Sequence, residues 1–146
     1  MVQRVAVLGG GKMGEALLSG MLRAGRAAGD VVVAERHPER AAFLRETYGV
    51  ATPSNADAVK QADILVLAVK PQDMGALLAE IGPEVRGDQL VVSVAAGITT
   101  AFIERHLAND VPVVRVMSNT AVFVDAESEQ SVFFVVQEWV SRTSPS

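Results

Sequence analysis

Gly9, Gly11 and Gly14 stand at the spacing GxGxxG, behind the short apolar run 5–8 and ahead of a helical pattern that opens at Lys12. Glycines placed this way suit the holding of a phosphate group. The first lets the chain turn sharply, the second lets a pyrophosphate approach bare backbone, and the third lets the helix pack close to the strand. Amides at the helix start then face the anion, where the helix dipole favours negative charge. A lone GxGxxG is often an ordinary glycine turn; the strand before it and the helix after it carry the reading here.

Other candidates fall at the ends of later apolar runs. Glu35 follows the run 31–34, about 20 residues past the glycines, where an acid accepts hydrogen bonds from a dinucleotide ribose. Its neighbour Arg36 suits the extra phosphate of NADP instead. The two readings oppose one another, because NADP use requires Glu35 to point away and Arg36 to face in. Lys70 ends the run 64–69, on the ligand side of an open parallel sheet. Ala95, Ala96 and Gly97 close the run 89–95, and residues this small let a nicotinamide ring come close to the backbone. Asn119 and Thr120 close the run 111–117 and offer hydrogen bonds to cofactor or substrate. His37 and His106 share no ligand spacing and read as surface or packing residues. No Ser-His-Asp arrangement is evident, Asp57, Asp63 and Asp73 read as boundary residues of helices and strands, and Met117 reads as core. Chemistry is therefore expected from a bound cofactor that the protein positions.

These residues need a scaffold that brings strand ends to one edge. The runs 5–8, 31–34, 64–69, 89–95 and 111–117 predict strands, with a short extra strand at Val50 and Ala51. Helices are expected from Lys12 to near Gly25 or Gly29, from Pro38 to about Tyr48 with a stop at Gly49, after Ser54, from Pro71 to Ile81, and from Thr99 or Thr100 through Leu107. Regular alternation of this kind implies an α/β fold, a doubly wound and mostly parallel sheet of the Rossmann type with right-handed crossovers. Residues 1–124 are expected to form this dinucleotide-binding domain. Residues 125–146 differ in character: an acidic stretch, the run 132–136 as an edge strand or a hydrophobic contact, then a frayed tail.

Composition narrows the class. With 146 residues, 49% of them hydrophobic, the chain has material for one core and not for two, so a single domain is expected. Aromatics make up only 5%, so the core is built from aliphatic side chains, as buried parallel sheets usually are. Thirteen basic against 17 acidic residues leave a net charge of -4 and no basic stripe, which argues against nucleic acid as a partner. There is no cysteine, so disulfides, thiolate catalysis and cysteine metal sites are excluded, and no metal is expected. The first apolar run breaks at residues 9–12, so neither a signal peptide nor a membrane span is expected; a reducing cytoplasm is allowed, and a cytoplasmic location is the expectation.

Four stretches taken together are more specific than the glycines alone. VAVLGGGKMGEALLSGML (5–22), LAVKPQD (67–73), VVSVAAGIT (91–99) and VVRVMSNT (113–120), in this order and spacing, resemble the N-terminal domain of the pyrroline-5-carboxylate reductase family. The resemblance covers about residues 3–124. It implies reduction of a small-molecule substrate, 1-pyrroline-5-carboxylate, to L-proline by hydride transfer from NADPH, with NAD as the other cofactor. By the same resemblance Gly9, Gly11, Lys12, Met13 and Gly14 hold the pyrophosphate, Arg36 lies by the adenosine ribose or its phosphate, and Asn55 lies near the adenosine. Ala68, Val69, Lys70 and Pro71 line the cofactor, Ala95, Ala96 and Gly97 face the nicotinamide, and Asn119 closes the same edge.

The family usually has proline after the Asn-Thr pair, where this chain has Ala121, and nothing from Asp125 onward resembles it. The family's all-helical second domain, which forms the dimer and supplies most catalytic contacts, has no counterpart in these 146 residues. Catalytic residues are accordingly unassigned, and a homo-oligomer or a helical partner chain are both open. Two other functions remain beside the reductase: a non-catalytic NADP-binding module or accessory subunit, and an NADP oxidoreductase dependent on a deazaflavin coenzyme.

Overall fold

In the computed structural model, residues 3–115 are described. Five parallel strands form one sheet: β1 (Val5–Leu8), β2 (Val31–Ala34), β3 (Ile64–Leu67), β4 (Leu90–Ser93) and β5 (Val113–Arg115). Their order is β2-β1-β3-β4-β5. Between them run α1 (Lys12–Arg23), α2 (Pro38–Tyr48), α3 (Asn55–Gln61), α4 (Pro71–Ile81) and α5 (Thr100–Glu104). Every residue of β1 to β4 is buried, which is why these strands read as unbroken apolar runs.

Side chains alternate between two layers. Val5 and Val7 pack with Leu17, Leu18 and Met21 of α1 and Leu44 of α2. Ala6 and Leu8 point the other way, to Val59 of α3, Met74 and Leu78 of α4, and Ile103 of α5. The register places Val5 beside both Val31 and Ile64, so the strands end level with one another. From β1 the chain winds outward to β2, then returns to lay β3 on the other side of β1. This reversal opens a crevice beyond Leu8 and Leu67, at the carboxyl ends of the two strands.

Local chemistry sets the element ends. Pro38 and Pro71 occupy the first turns of α2 and α4; Ser54 and Thr99 cap α3 and α5 through side-chain oxygens that accept from Asp57 and Phe102 amides. Gly49 terminates α2 in the left-handed region, at φ 73°.

Four expectations need correction. The expected strand at Val50 and Ala51 is a single parallel bridge, Val32 with Ala51. The run 64–69 leaves the sheet after Leu67: Ala68 N–H still donates to the Leu8 carbonyl, and Lys70 already caps α4. The run 89–95 is strand only at Leu90–Ser93. The fifth helix stops at Glu104 because the His106 and Leu107 amides donate three residues back, to Ile103 and Glu104, which tightens the chain into a turn. Expectations for Met117, Asn119 and Thr120, for the domain boundary at residue 124 and for the run 132–136 fall outside the described residues.

Gln89, just before β4, is 2% exposed and joins three segments. Its amide nitrogen donates to the Val59 and Ala62 carbonyls at 2.6 and 2.7 Å, while its amide oxygen accepts from Arg86 N–H at 2.7 Å. This anchors the end of α3 to the start of β4 with every polar atom of the amide group engaged.

Candidate functional site

The glycine loop spans the crevice. Gly9 has φ +112°, and a β-carbon there would lie 2.9 Å from the Ala68 carbonyl, so β1 turns against β3 only with glycine at this position. A β-carbon on Gly14 would overlap the Gly9 carbonyl oxygen, so α1 sits directly on the loop. A β-carbon on Gly11 would meet nothing within 4 Å beyond its own chain neighbours. That open space is what close approach by a ligand requires. Glu15 N–H donates to the Gly11 carbonyl at 2.9 Å as the helix begins its own bonding. The amides of Lys12, Met13 and Gly14 precede that bond and belong to the donors a helix leaves without an intrahelical acceptor.

A cleft of about 550 Å³ opens beside the loop. One wall is Gly9, Gly10 and Gly11; the second is the end of β2, from Ala34 through His37, with Arg40 behind it. The floor is Ala68, Val69 and Lys70, and the far wall is Asp73, Ala76, Leu77 and Glu80 of α4 with Asn55 of α3. Arg36 stands exposed at the mouth, 3.8 Å from Asp73 across the opening. Asn55 donates to Glu80 at 3.0 Å.

Of the residues expected in the site, the cleft brings together Gly9, Gly11, Arg36, Asn55, Ala68, Val69 and Lys70. Lys12, Met13 and Gly14 form the first turn of α1 and Pro71 the first turn of α4, beside the cleft and not in its lining. Ala95 is 7% exposed within the core layer under α4, while Ala96 and Gly97 are exposed beyond β4, two strands away from the glycine loop on the same sheet edge. Asn119 lies outside the described residues.

Sequence reasoning missed Arg40, Ala76, Leu77 and Glu80, and gave Ala34, His37 and Asp73 no site role. The spacing of α4 carried a signal: Asp73, Ala76, Leu77 and Glu80 recur at three and four residues, one face of a helix that starts at the sheet edge. Nothing local distinguished Arg40. His106 packs as expected, its Nδ1 2.8 Å from the Phe102 carbonyl and its ring against that of Phe102. His37 is exposed as expected and also lines the cleft.

Glu35 is turned inward, with only 9% of its side chain exposed. Oε1 accepts from Gly10 N–H at 3.0 Å; Oε2 accepts from His37 N–H at 2.8 Å and lies 2.9 Å from His37 Nδ1. Burial disfavours its charged form, but these hydrogen bonds outweigh burial and hold the carboxyl below its ordinary value. Arg40 reaches the same loop from α2, where Nε donates to the Gly10 carbonyl at 2.7 Å and the other end of the guanidinium pairs with Glu15.

Tyr48 donates to the second oxygen of Glu15. Burial, then the hydrogen bond to the Glu15 carboxylate and its charge, push the phenol up to about 12. For Glu15, burial raises the pKa, and the bonds from Tyr48 and Arg40 more than reverse this, so the net shift is down. The signs follow. Stability from the raised phenol is complete below the ordinary tyrosine range, about 10, and is lost as pH rises toward about 12. Stability from the lowered carboxyl is present above the ordinary carboxylate range and lost as pH falls through it. Tyr48 is the sole tyrosine in the chain, so tyrosinate absorbance reports it alone. Its alkaline titration is expected above that of free tyrosine and to move down in Glu15→Gln; an unshifted midpoint in both proteins refutes the coupling.

A parallel sheet with helices on both faces, and a glycine loop at its point of strand reversal, define the Rossmann class of dinucleotide-type α/β domains. Residues 4–97 match the family described as NADP oxidoreductase, coenzyme F420-dependent, and the chain belongs to that family. The resemblance carried by the four motifs also holds. The chain is 48% identical over 129 residues to a pyrroline-5-carboxylate reductase of Mycobacterium tuberculosis, covering 84% of this chain and 44% of that protein. Among solved structures it is similar to a pyrroline-5-carboxylate reductase from Coxiella burnetii, with TM-score 0.73 and 30% identity over 82% of this chain and 45% of that one. It is likewise similar to the Plasmodium falciparum pyrroline carboxylate reductase with NADP bound, at TM-score 0.69 and 25% identity, covering 84% of this chain and 44% of that chain. The chain thus spans less than half the length of these relatives. Among the described residues no helix is long and apolar enough to cross a membrane, and no cluster of His, Cys, Asp or Glu is arranged to hold a metal ion.

Proposed function

We propose that residues 1–124 form the NADP(H)-binding domain of a pyrroline-5-carboxylate reductase, with residues 125–146 a divergent segment appended to it. The observation that carries the reading is the open space over Gly11 at the head of α1, inside a cleft whose mouth bears Arg36. These residues fit a dinucleotide. The pyrophosphate meets the loop at Gly11 and the first-turn amides of α1, the adenosine ribose and its phosphate lie by Arg36, and the adenosine extends toward Asn55. The nicotinamide lies along the sheet edge toward Ala95, Ala96 and Gly97, and Asn119 is assigned to the cofactor from its sequence motif. When bound, NADPH supplies the hydride for the substrate's ring C=N bond, and the nitrogen gains a proton. This chain's residues bind and orient that cofactor at the strand ends. A helical second domain, in cis or from a partner chain, holds the substrate. A cytoplasmic location accords with such a role.

Cofactor choice favours NADP because Glu35 is spent on Gly10 and His37, leaving Arg36 exposed at the mouth. Arg36→Ala is expected to weaken NADPH binding by about ten- to a hundredfold while NADH changes by less than about twofold, as read by titration of nucleotide fluorescence. Equal losses for the two reject the assignment.

The test of function is the purified chain with NADPH and pyrroline-5-carboxylate. NADPH oxidation establishes a self-sufficient reductase. Tight binding without oxidation leaves a cofactor-binding module that needs the helical domain, and no binding rejects the proposal. The family description favours one second reading, transfer between NADP and coenzyme F420, a deazaflavin. Nucleotide turnover with F420 and none with pyrroline-5-carboxylate selects it.

A further inference from the structure

The run of three glycines contains one more than the fingerprint spacing asks for. Gly10 is that residue, and its surroundings explain it. A β-carbon on Gly10 would lie 2.7 Å from Leu44 Cδ1 and 2.9 Å from Glu35 Cβ, so the loop rests directly on the end of β2 and on α2. Two side chains hold it there. Glu35, from the β2 end, accepts Gly10 N–H; Arg40, from α2, donates to the Gly10 carbonyl. Both polar groups of one residue are gripped by side chains 25 and 30 positions away. Each grip is itself braced, Glu35 by His37 and Arg40 by Glu15, which also takes the Tyr48 hydroxyl.

We infer that Glu35 and Arg40 are positioning residues that fix the Gly10 peptide groups and so aim the adjoining Gly11 amide into the cleft before any nucleotide arrives, and that Glu35 is not the ribose acceptor its place after β2 suggests. This deepens the NADP reading and rests on it for the ligand. The physical basis is the geometry of the carboxylate. Its Oε1 faces Gly10 and its Oε2 faces His37, and the side chain is almost wholly buried. A carboxylate so engaged would have to surrender charge-assisted bonds to turn toward a ribose. A loop held in its binding shape loses less freedom on binding, so the clamp acts on affinity for any dinucleotide and not on the choice between them.

That equality separates a clamp from a ribose selector. In the chain without nucleotide, Gly10 N–H is expected to exchange slowly with solvent deuterium, and in Glu35→Ala at least about tenfold faster relative to amides of the sheet. With nucleotide, Glu35→Ala and Arg40→Ala are each expected to weaken NADPH and NADH by a common factor of roughly ten to a hundred, leaving their ratio unchanged. Glu35→Gln, whose amide oxygen still accepts from Gly10, restores most of the loss. Unchanged Gly10 exchange in Glu35→Ala, or a Glu35→Ala protein that loses NADH while holding or gaining NADPH, overturns the inference; the second pattern is that of a ribose acceptor. If the unmodified chain binds neither nucleotide, the NADP reading falls, and the exchange measurement still decides whether the clamp exists. Should Glu35→Ala fail to fold, Arg40→Ala carries the decision: loss of NADPH and NADH affinity by a common factor supports the clamp, and an unchanged affinity or a loss confined to one nucleotide overturns it.

Discussion

Gly11→Val is expected to leave the thermal unfolding of the nucleotide-free chain within about 2 °C of its original midpoint while lowering NADPH affinity by at least about a hundredfold. The two halves have separate causes. Gly11 is extended, at φ -73°, so a side chain strains nothing, and the space where its β-carbon would go is empty. The same emptiness is where a pyrophosphate comes to the backbone, and two methyl groups there hold it away from the first-turn amides of α1. Gly14→Ala is the contrasting variant. Its methyl group would overlap the Gly9 carbonyl oxygen, so α1 must lift off β1 at a cost of about 2–4 kcal/mol. Calorimetry and nucleotide titration on the two proteins separate binding from folding. A Gly11→Val protein that binds NADPH normally, or one that unfolds as early as Gly14→Ala, is incompatible with the cradle assigned here.

Gln89→Leu is expected to cost about 3–5 kcal/mol of folding stability, a large effect for a substitution away from the cleft. Leucine is close in size, so packing is nearly kept; what is lost is the partner of three backbone groups. The Val59 and Ala62 carbonyls would be left facing a hydrocarbon in a buried site, and the half-buried Arg86 amide would lose its acceptor. Each buried orphan costs about 1–3 kcal/mol, and the sum falls short of full additivity because the segments relax together. Total stability of an ordinary domain is about 5–15 kcal/mol, so the variant should sit near the edge of folding at 37 °C. Denaturant titration checks this, and a loss below about 1 kcal/mol would show that the amide is not the tie that its geometry describes.

Much of the architecture is legible in short windows of sequence. Runs such as VAVL and ILVL are apolar throughout because both faces of those strands are covered, and Pro38, Pro71, Ser54, Thr99 and Gly49 sit where helix ends require them. These signals are local, since they depend on backbone conformation and burial over a few residues. Element lengths were less legible. The run 64–69 stays apolar after its chain has left the sheet, because Ala68 and Val69 go on to line the floor of the cleft. The run 89–95 begins with Gln89, whose side chain serves as a tie before the strand proper begins.

The candidate site divides along the same line. By itself the sequence determined the glycine spacing, the strand and helix on either side of it, and the order of four motifs that places the chain in its family. Those features need only neighbours a few positions away. Tertiary structure decided where Glu35 turns, since rotation about its side-chain bonds is settled by Gly10 and His37 and not by its place after a strand. It also decided that Arg40, unremarkable in a polar helix, reaches across 30 positions to the glycine loop, and that the face of α4 from Asp73 to Glu80 closes the cleft. Side-chain direction and long-range pairing exist only once the sheet has brought distant strand ends level, and this is why the cradle is written in the sequence while the hands that hold it are not.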